Sequence, residues 1–200
     1  MKVMVVGATG TIGKAVVEAL SPRHEVVAVS HEKARHRVDI ADPESIRRLF
    51  RTVGRVDAVV SAAGAARFGP LAGLKDEDFL FSLTNKLMGQ VNLARLAVES
   101  VVDGGSITLT SGILARKPMP GSAVISLVNA ALEGFARAAA LEMPRGIRIN
   151  VVSPPWVTET LKALGMDPSQ GMPAAVVARA YVESIEGKRT GAVIEPAGAK

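Results

Sequence analysis

The sequence contains no cysteine, only three histidines and few aromatic residues among its 200 positions. Without cysteine the chain has no disulfide framework, no thiolate metal site and no cysteine nucleophile, which is typical of a reducing compartment. It also lacks the run of roughly 20 apolar residues that a membrane-spanning helix needs. The apolar stretch 1–6 is too short for a signal peptide and predicts a buried strand. We therefore expect a cytoplasmic protein with no metal site and no membrane association.

The net charge of +5 at pH 7 would indicate nucleic-acid binding if the basic residues were clustered. They are spread along the chain instead. The densest group, within 31–37, is short and is not interleaved with aromatic side chains. We therefore expect no nucleic-acid partner, and the basic group needs a more local explanation.

Strand patterns and helix patterns alternate along the chain. Continuous β-branched runs predict strands at 3–6, 26–29, 56–60, 106–109, 147–152 and 192–194. Helix-like segments lie between them, at 12–20, 43–53, 76–101, 121–141 and 173–185. This alternation predicts one doubly wound α/β domain over 1–200, with a mostly parallel sheet flanked by helices. Ligands bind such sheets beyond the carboxyl ends of the strands.

The loop after the first predicted strand carries the pattern Gly7-x-x-Gly10-x-x-Gly13, directly before an apolar-periodic helix. Glycine permits a tight turn and a close backbone approach to a pyrophosphate, while the helix N-terminus offers free N–H groups and a favourable dipole. In this context the pattern predicts a Rossmann-type dinucleotide site, although a plain strand-to-helix turn would also produce it. The residues assigned to the site are Gly7, Thr9, Gly10, Thr11, Ile12 and Gly13.

The end of the second predicted strand distinguishes between nicotinamide cofactors. An acidic residue there would accept hydrogen bonds from the ribose 2′-hydroxyl of NAD and would repel the 2′-phosphate of NADP. The chain has Ser30 and His31 instead, with Lys33 and Arg35 close behind. This set suits a phosphate dianion and favours NADP(H) over NAD(H). A solvated loop would also explain the two basic residues, and Glu32 weighs against a phosphate.

From Met1 to about Glu195 the sequence resembles the short-chain dehydrogenase/reductase family, whose landmarks occur in order. Asp39-Ile40 resembles the pair that touches the adenine, with a turn-capping or helix-capping carboxylate as the alternative for Asp39. The segment 61–64 resembles the Asn-Asn-Ala-Gly cofactor segment with both asparagines replaced. The stretch 148–158 resembles the segment that reaches the nicotinamide. The resemblance thus adds as cofactor residues Asp39, Ile40, Ser61, Ala62, Ala63, Gly64, Pro154, Val157 and Thr158.

The resemblance also implies active-site residues. Asn85 lies in the long predicted helix where the family has an active-site asparagine, and Ser111 follows a strand as the catalytic serine does. The family's tyrosine lies thirteen positions after that serine and its lysine four further on, which gives Val124 and Val128 here. The segment 129–135 resembles the continuation of the family's helix and supports this register. Valine neither gives a proton to a developing alkoxide nor lowers the pKa of a tyrosine.

Few other side chains are candidates for the missing proton donor. We interpret Tyr181, in the last predicted helix, as a packing residue, and the three histidines lie around the second strand on the adenosine side. Arg116 and Lys117 are the nearest cations after Ser111, with solvated loop charges as the alternative interpretation. Water relayed through Ser111 is a further route.

Two functional hypotheses follow. The first is an atypical NADP(H)-dependent oxidoreductase acting on a small carbonyl or activated alkene, with Ser111 and Asn85 polarising the substrate. The second is an NADP(H)-binding protein without turnover, with a sensing or structural role. A short, adaptable substrate lid is expected over 159–173, where two methionines occur. The resemblance also implies a homo-oligomer assembled through the helices 76–101 and 121–141.

Overall fold

The strands pair in parallel within one seven-stranded sheet, in the order β3-β2-β1-β4-β5-β6-β7. The computed structural model describes residues 1–198. The strands are β1 Lys2–Val6, β2 Glu25–Ser30, β3 His36–Arg37, β4 Val56–Ser61, β5 Val101–Thr110, β6 Arg148–Val152 and β7 Val193–Ile194. Six of them overlap the predicted runs. The two-residue β3 was not predicted, because it is too short to produce a periodic signal.

Helices cover both faces of this sheet. They are α1 Thr11–Leu20, α2 Pro43–Val53, α3 Asp76–Ser82, α4 Gly89–Ala97, α5 Ala123–Ala139, α6 Thr158–Ala163 and α7 Ala174–Glu186. Alternate residues of a strand point to opposite faces. Val3 and Val5 therefore pack against α1 and α7, whereas Met4 and Val6 pack in the cluster that includes α2, α4 and α5. Burial on both faces explains the continuous apolar runs and confirms the doubly wound α/β architecture.

Within residues 1–198, no helix combines the length and the apolar character that crossing a bilayer requires.

The long helix predicted over 76–101 is interrupted in the structure. α3 passes into a π-helical turn, Leu83–Met88, and α4 begins only at Gly89. A Cβ at position 89 would lie 2.9 Å from the side chain of Ile40, so glycine allows α4 to pass close to the segment after β3. The helix ends before Val101, where β5 starts earlier than predicted.

The sheet order reverses at β1, whose two neighbours are β2 and β4. The chain leaves β1 and β4 on opposite faces, which opens a crevice beyond their carboxyl ends. There the Ala62 N–H donates to the carbonyl of Val6 at 2.8 Å, and the Gly7 N–H donates to the carbonyl of Val29 at 2.9 Å. The loops after β1, β2 and β4 therefore converge at one edge of the sheet.

The packing of α5 can be tested at Leu132, whose side chain is 0% exposed. Leu132→Ala should lower the free energy of unfolding by about 2–5 kcal/mol, because it removes buried apolar surface and leaves a cavity. Leu141, just beyond the same helix, is 89% exposed and serves as a matched control. Leu141→Ala should change that free energy by no more than about 0.5 kcal/mol in urea unfolding followed by circular dichroism. Equal effects of the two substitutions would contradict this packing.

Candidate functional site

The loop after β1 and the first turn of α1 each have one position that only glycine fits. Gly7 has a φ of +88°, and a Cβ there would lie 2.5 Å from the carbonyl oxygen of Ala62. A Cβ on Gly13 would lie 2.0 Å from the carbonyl oxygen of Gly7. Gly10 caps α1 without a side-chain hydrogen bond, so the first N–H groups of this helix are left for a ligand. The loop therefore fits the phosphates of a dinucleotide.

A first cavity of about 760 Å³ lies beyond the ends of β1, β2 and β4. Polar groups from the loops line this cavity on one side. Apolar residues of α3, among them Phe81, line it on another. Most residues predicted to bind the adenosine and phosphate parts of a cofactor line this cavity. They are Gly7, Thr9, Gly10, Ser30, His31, Asp39, Ile40, Ala62, Ala63 and Gly64.

A second cavity of about 260 Å³ adjoins the first. Both cavities are lined by the segment Ala62 to Gly64, so the loop after β4 is their common wall. The predicted residues Ile12, Ser111, Pro154 and Val157 also line the second cavity, together with Lys86, Ile125, Asn129 and Trp156. The arrangement suits an elongated ligand whose reactive end reaches Ser111.

The remaining predicted cofactor residues lie outside the two cavities. Gly13 packs inside the loop, and Ser61 is buried with no hydrogen-bond partner for its Oγ. Lys33 and Arg35 are exposed on the loop after β2. The Oγ of Ser30 accepts the N–H of Lys33 at 2.8 Å, which fixes the course of that loop beside the first cavity. Thr11 and Thr158 begin α1 and α6 without lining either cavity.

Asp39 caps a turn and also lines the cavity in which the adenine of a cofactor was predicted to bind. Its carboxylate accepts the N–H of Ala41 at 2.9 Å, as a turn-capping aspartate does. The same residue lines the first cavity. The capping contact holds the loop that carries Ile40 against the cavity.

Ser111 follows β5 and is only 4% exposed. Its Oγ donates to the Oε1 of Glu133 at 3.0 Å. Glu133 is buried on α5, and its other carboxylate oxygen lies 3.8 Å from the guanidinium of Arg116. The hydroxyl of Ser111 must therefore rotate away from Glu133 before it can donate to a substrate. Glu133 lies in the segment 129–135 that supported the predicted helix register, but nothing in the sequence indicated its contact with Ser111.

The structure corrects the register predicted for α5. Val124 and Val128, which the spacing from Ser111 selected, are 0% exposed and do not line the second cavity. Ile125 and Asn129, one position further along, line it instead. The segment from Ser111 to this face of α5 is one residue longer than the family spacing used for the prediction. The side chains facing the cavity are thus an aliphatic group and a neutral amide, and neither titrates near neutral pH.

The structure also separates Asn85 from Ser111. The Oδ1 of Asn85 accepts the N–H of Ala65 at 2.7 Å, and the residue lines the first cavity. Lys86 occupies the place predicted for Asn85, in the second cavity with Ser111. Burial lowers the pKa of Lys86 to about 8. Lys86 was not predicted, because the resemblance to the family selected its neighbour Asn85 and no pattern in the sequence indicated the π-helical turn.

Tyr181 has the packing role interpreted from its position. It is 0% exposed on α7 and forms a hydrogen bond of 2.7 Å with the Oγ1 of Thr110. Burial raises the pKa of its phenol. It lines neither cavity. Trp156 does line the second cavity, in edge-on contact with Phe68 at 6.4 Å between ring centroids.

A model of the family described as enoyl-(acyl carrier protein) reductase matches residues 6–192 of the chain. The chain belongs to the short-chain dehydrogenase/reductase family. Carbonyl reductase family member 4 from Danio rerio is 31% identical over 173 residues, which are 76% of this chain and 73% of that relative. Human 3-oxoacyl-[acyl-carrier-protein] reductase is 35% identical over 126 residues, 60% of this chain and 53% of that relative. The match thus spans about half the length of the human reductase.

Solved structures of short-chain dehydrogenase/reductase type share the fold. The protein lin1944 from Listeria innocua superposes with a TM-score of 0.94 at 42% sequence identity, over 98% of both chains. A small-chain dehydrogenase in complex with NADPH gives a TM-score of 0.86 at 28% identity, over 98% of this chain and 95% of the other. These likenesses confirm the predicted fold and family.

The glycine-lined loop yields a prediction for nucleotide binding by this short-chain dehydrogenase/reductase. Gly13→Ala should weaken NADPH binding at least about tenfold, because the loop must shift to relieve the contact with the Gly7 carbonyl. Gly134→Ala is the matched control, since a Cβ there meets nothing within 4 Å. Fluorescence titration with NADPH measures both. Unchanged binding in Gly13→Ala would show that the loop does not hold the nucleotide.

Proposed function

We propose that this short-chain dehydrogenase/reductase is an NADP(H)-dependent oxidoreductase acting on a small carbonyl or activated alkene. The observation that carries the proposal is the pair of adjoining cavities, with a glycine-lined phosphate cradle in the first and Ser111 in the second. The volume of the second cavity, about 260 Å³, suits a small molecule. Its walls are mainly apolar, with Ile125 and Trp156 among them.

The preference for NADP(H) is supported by the end of β2. Ser30 and His31 line the first cavity there, where an acidic residue would bind the ribose 2′-hydroxyl of NAD. The Oγ of Ser30 accepts the N–H groups of Lys33 and Ala34, both at 2.8 Å. These two hydrogen bonds hold the loop that carries Lys33 and Arg35 near the first cavity. The small-chain dehydrogenase solved with NADPH has the same fold.

When bound, NADPH would supply a hydride to the substrate carbon. The chain itself holds the substrate oxygen near Ser111, beside the mainly apolar walls of the second cavity. The Ser111 hydroxyl is a hydrogen-bond donor for that oxygen after rotation away from Glu133. Its role is polarisation, because a serine hydroxyl is too weak an acid to supply the proton alone.

The cofactor preference is tested by Ser30→Asp. The aspartate can still accept the N–H groups of the loop, but its carboxylate repels a 2′-phosphate. NADPH affinity should fall at least about tenfold, a factor that corresponds to about 1.4 kcal/mol. NADH affinity should not fall, and this second titration is the internal control. Wild-type protein that binds NADH as tightly as NADPH would contradict the proposed preference.

Activity is tested by NADPH oxidation against a panel of small aldehydes, ketones and activated alkenes. Ser111→Ala should lower kcat by about 10²-fold, as loss of one oxyanion donor does in other enzymes. Ser126→Ala is the control, because Ser126 lies on α5 outside both cavities. Turnover that is equal in Ser111→Ala and wild type would remove the role assigned to Ser111.

A second candidate function is NADP(H) binding without turnover, in a sensing or structural role. The observation that favours it is the face of α5 in the second cavity, where Ile125 and Asn129 offer no acid. Saturable NADPH binding with no turnover across the panel would support this alternative. Measurable wild-type turnover would exclude it.

Assembly as a homo-oligomer stays a prediction from the resemblance. Met88 in the π-helical turn is 43% exposed, and Leu127 on α5 is 47% exposed. Both lie on the helical segments predicted to meet a second copy. Sedimentation velocity would measure the oligomeric state.

A further inference from the structure

Lys86 brings a titratable side chain into the second cavity, and we infer that it is the proton donor to the substrate oxygen. This inference rests on the proposed function and deepens it. Among the residues that line the second cavity, Lys86 is the one with an ionisable side chain. It lies in the same cavity as Ser111, where a substrate carbonyl would be held.

The π-helical turn Leu83–Met88 determines which cavity each side chain reaches. A π turn accommodates one residue more than an α turn, which shifts the helix face on which the following side chains lie. Asn85 lines the first cavity and Lys86 lines the second, although they are neighbours in the chain. Within this turn the chain therefore presents an asparagine to the first cavity and a lysine to the second.

Gln90 ties this turn to the strand that carries Ser111. Its Nε2 donates to the carbonyl of Lys86 at 3.3 Å and to the carbonyl of Thr110 at 2.9 Å. Its Oε1 accepts the N–H of Thr110 at 2.8 Å. Gln90 is 0% exposed, so water does not compete for these bonds. One buried amide thus fixes the backbone of Lys86 relative to that of Ser111.

Gly64 holds the stem of Lys86 from the other side. Gly64 has a φ of +115°, and a Cβ there would lie 3.0 Å from the Cα of Lys86 and 3.3 Å from its Cγ. The backbone of the loop after β4 therefore packs directly on the lysine. Gly64 lines both cavities, so the stem of Lys86 lies at the boundary between them.

The ammonium of Lys86 makes no hydrogen bond or ion pair with residues 1–198, and the residue is 8% exposed. Asp76 and Glu77 on α3 and Arg137 on α5 are exposed to solvent. The other charged groups on the elements packed around Lys86 have partners. Glu133 on α5 binds Ser111 and Arg116. The remaining contacts join Asp78 on α3 to Arg67 at 3.5 Å, and Arg95 on α4 to Asn92 at 2.8 Å. Burial without a counter-charge lowers the pKa of Lys86 to about 8.

Proton donation by Lys86 completes the reduction of a carbonyl whose carbon receives a hydride from the reduced cofactor. In the reducing direction a hydride adds to the carbonyl carbon, the C=O π electrons move to oxygen, and a Lys86 N–H bond breaks as the substrate O–H bond forms. The neutral amine then takes a proton from water. In the oxidising direction the neutral amine accepts the hydroxyl proton of the alcohol. An acid with a pKa near the working pH is well matched to this transfer, whereas an ordinary lysine, at about 10.4, is not.

The ionisation of Lys86 can be measured without turnover. Lysine ¹³Cε shifts are followed by NMR against pH in the ligand-free protein, with Lys86→Met assigning the signal. We expect one signal to titrate at about pH 8, to be absent in Lys86→Met and to be retained in Lys117→Met, whose lysine is exposed. A Lys86 midpoint at about 10.4 would overturn the inference.

Kinetics then test the catalytic role. Lys86→Met should lower kcat for reduction by about 10²-fold or more, while NADPH affinity changes little. Because the protonated form is active, the wild-type reduction rate should fall as pH rises through about 8, and the oxidation rate should rise over the same range. The pH dependence of both rates around pH 8 should be lost in Lys86→Met. Lys117→Met, the control in the exposed loop after Ser111, should keep it.

Lys86→Arg separates proton donation from charge alone. Arginine keeps the positive charge but does not release a proton near neutral pH, so it should not restore the rate. Full activity of Lys86→Arg, or a change in KM with kcat intact, would overturn proton donation by Lys86. NADPH turnover unaffected by Lys86→Met would overturn it while leaving the proposed function standing. Wild-type protein that binds no NADPH, or binds it without turnover, would overturn the proposed function itself.

Discussion

The close backbone contact between the loops after β1 and β4 is the constraint on which the whole site depends. A Cβ at Gly7 would lie 2.5 Å from the Ala62 carbonyl oxygen, and one at Gly13 would lie 2.0 Å from the Gly7 carbonyl oxygen. A side chain at position 7 would push the loops after β1 and β4 apart, and one at position 13 would push α1 away from the loop after β1. With glycine, the N-terminus of α1 lies beside the crevice, and its first N–H groups have no side-chain cap.

The same loop after β4 links nucleotide binding to the chemistry of the second cavity. Its residues Ala62 to Gly64 are a wall of both cavities, and Gly64 packs on the stem of Lys86. A displacement of this loop would therefore alter the phosphate cradle and the position of the lysine together. Binding and proton transfer share one piece of backbone, and the site is better regarded as a single unit than as two pockets.

The parts of the fold with a regular repeat could be predicted from the sequence. Strands buried on both faces produce continuous apolar runs, and the glycine pattern predicted a close-packed strand-to-helix segment because only glycine satisfies its geometry. β3 was missed because two residues have no periodicity. The π-helical turn was missed because hydrophobic periodicity assumes a regular helix. Asn85 was assigned from the family resemblance, whereas its neighbour Lys86 lines the second cavity.

The register error on α5 has a different physical origin. The prediction counted residues from Ser111 to the helix, but a loop can take up one extra residue without changing either element. The lining of the second cavity shows which face of the helix meets it, and that face carries Ile125 and Asn129 and not Val124 and Val128. Contacts between distant segments, such as that of Ser111 with Glu133, leave no trace in local sequence patterns.

The electrostatics of the second cavity explain how the proposed acid, the buried Lys86, can replace the tyrosine and lysine pair of the family. Glu133 is compensated by Ser111 and Arg116, so its charge does not neutralise Lys86. In apolar surroundings an uncompensated ammonium is a stronger acid than in water, and its attraction to a developing alkoxide is also greater. Both effects come from the same burial. Opening the cavity to water would therefore weaken the acid and the attraction together, so the apolar wall formed by Ile125 and Trp156 contributes to the chemistry as directly as the lysine does.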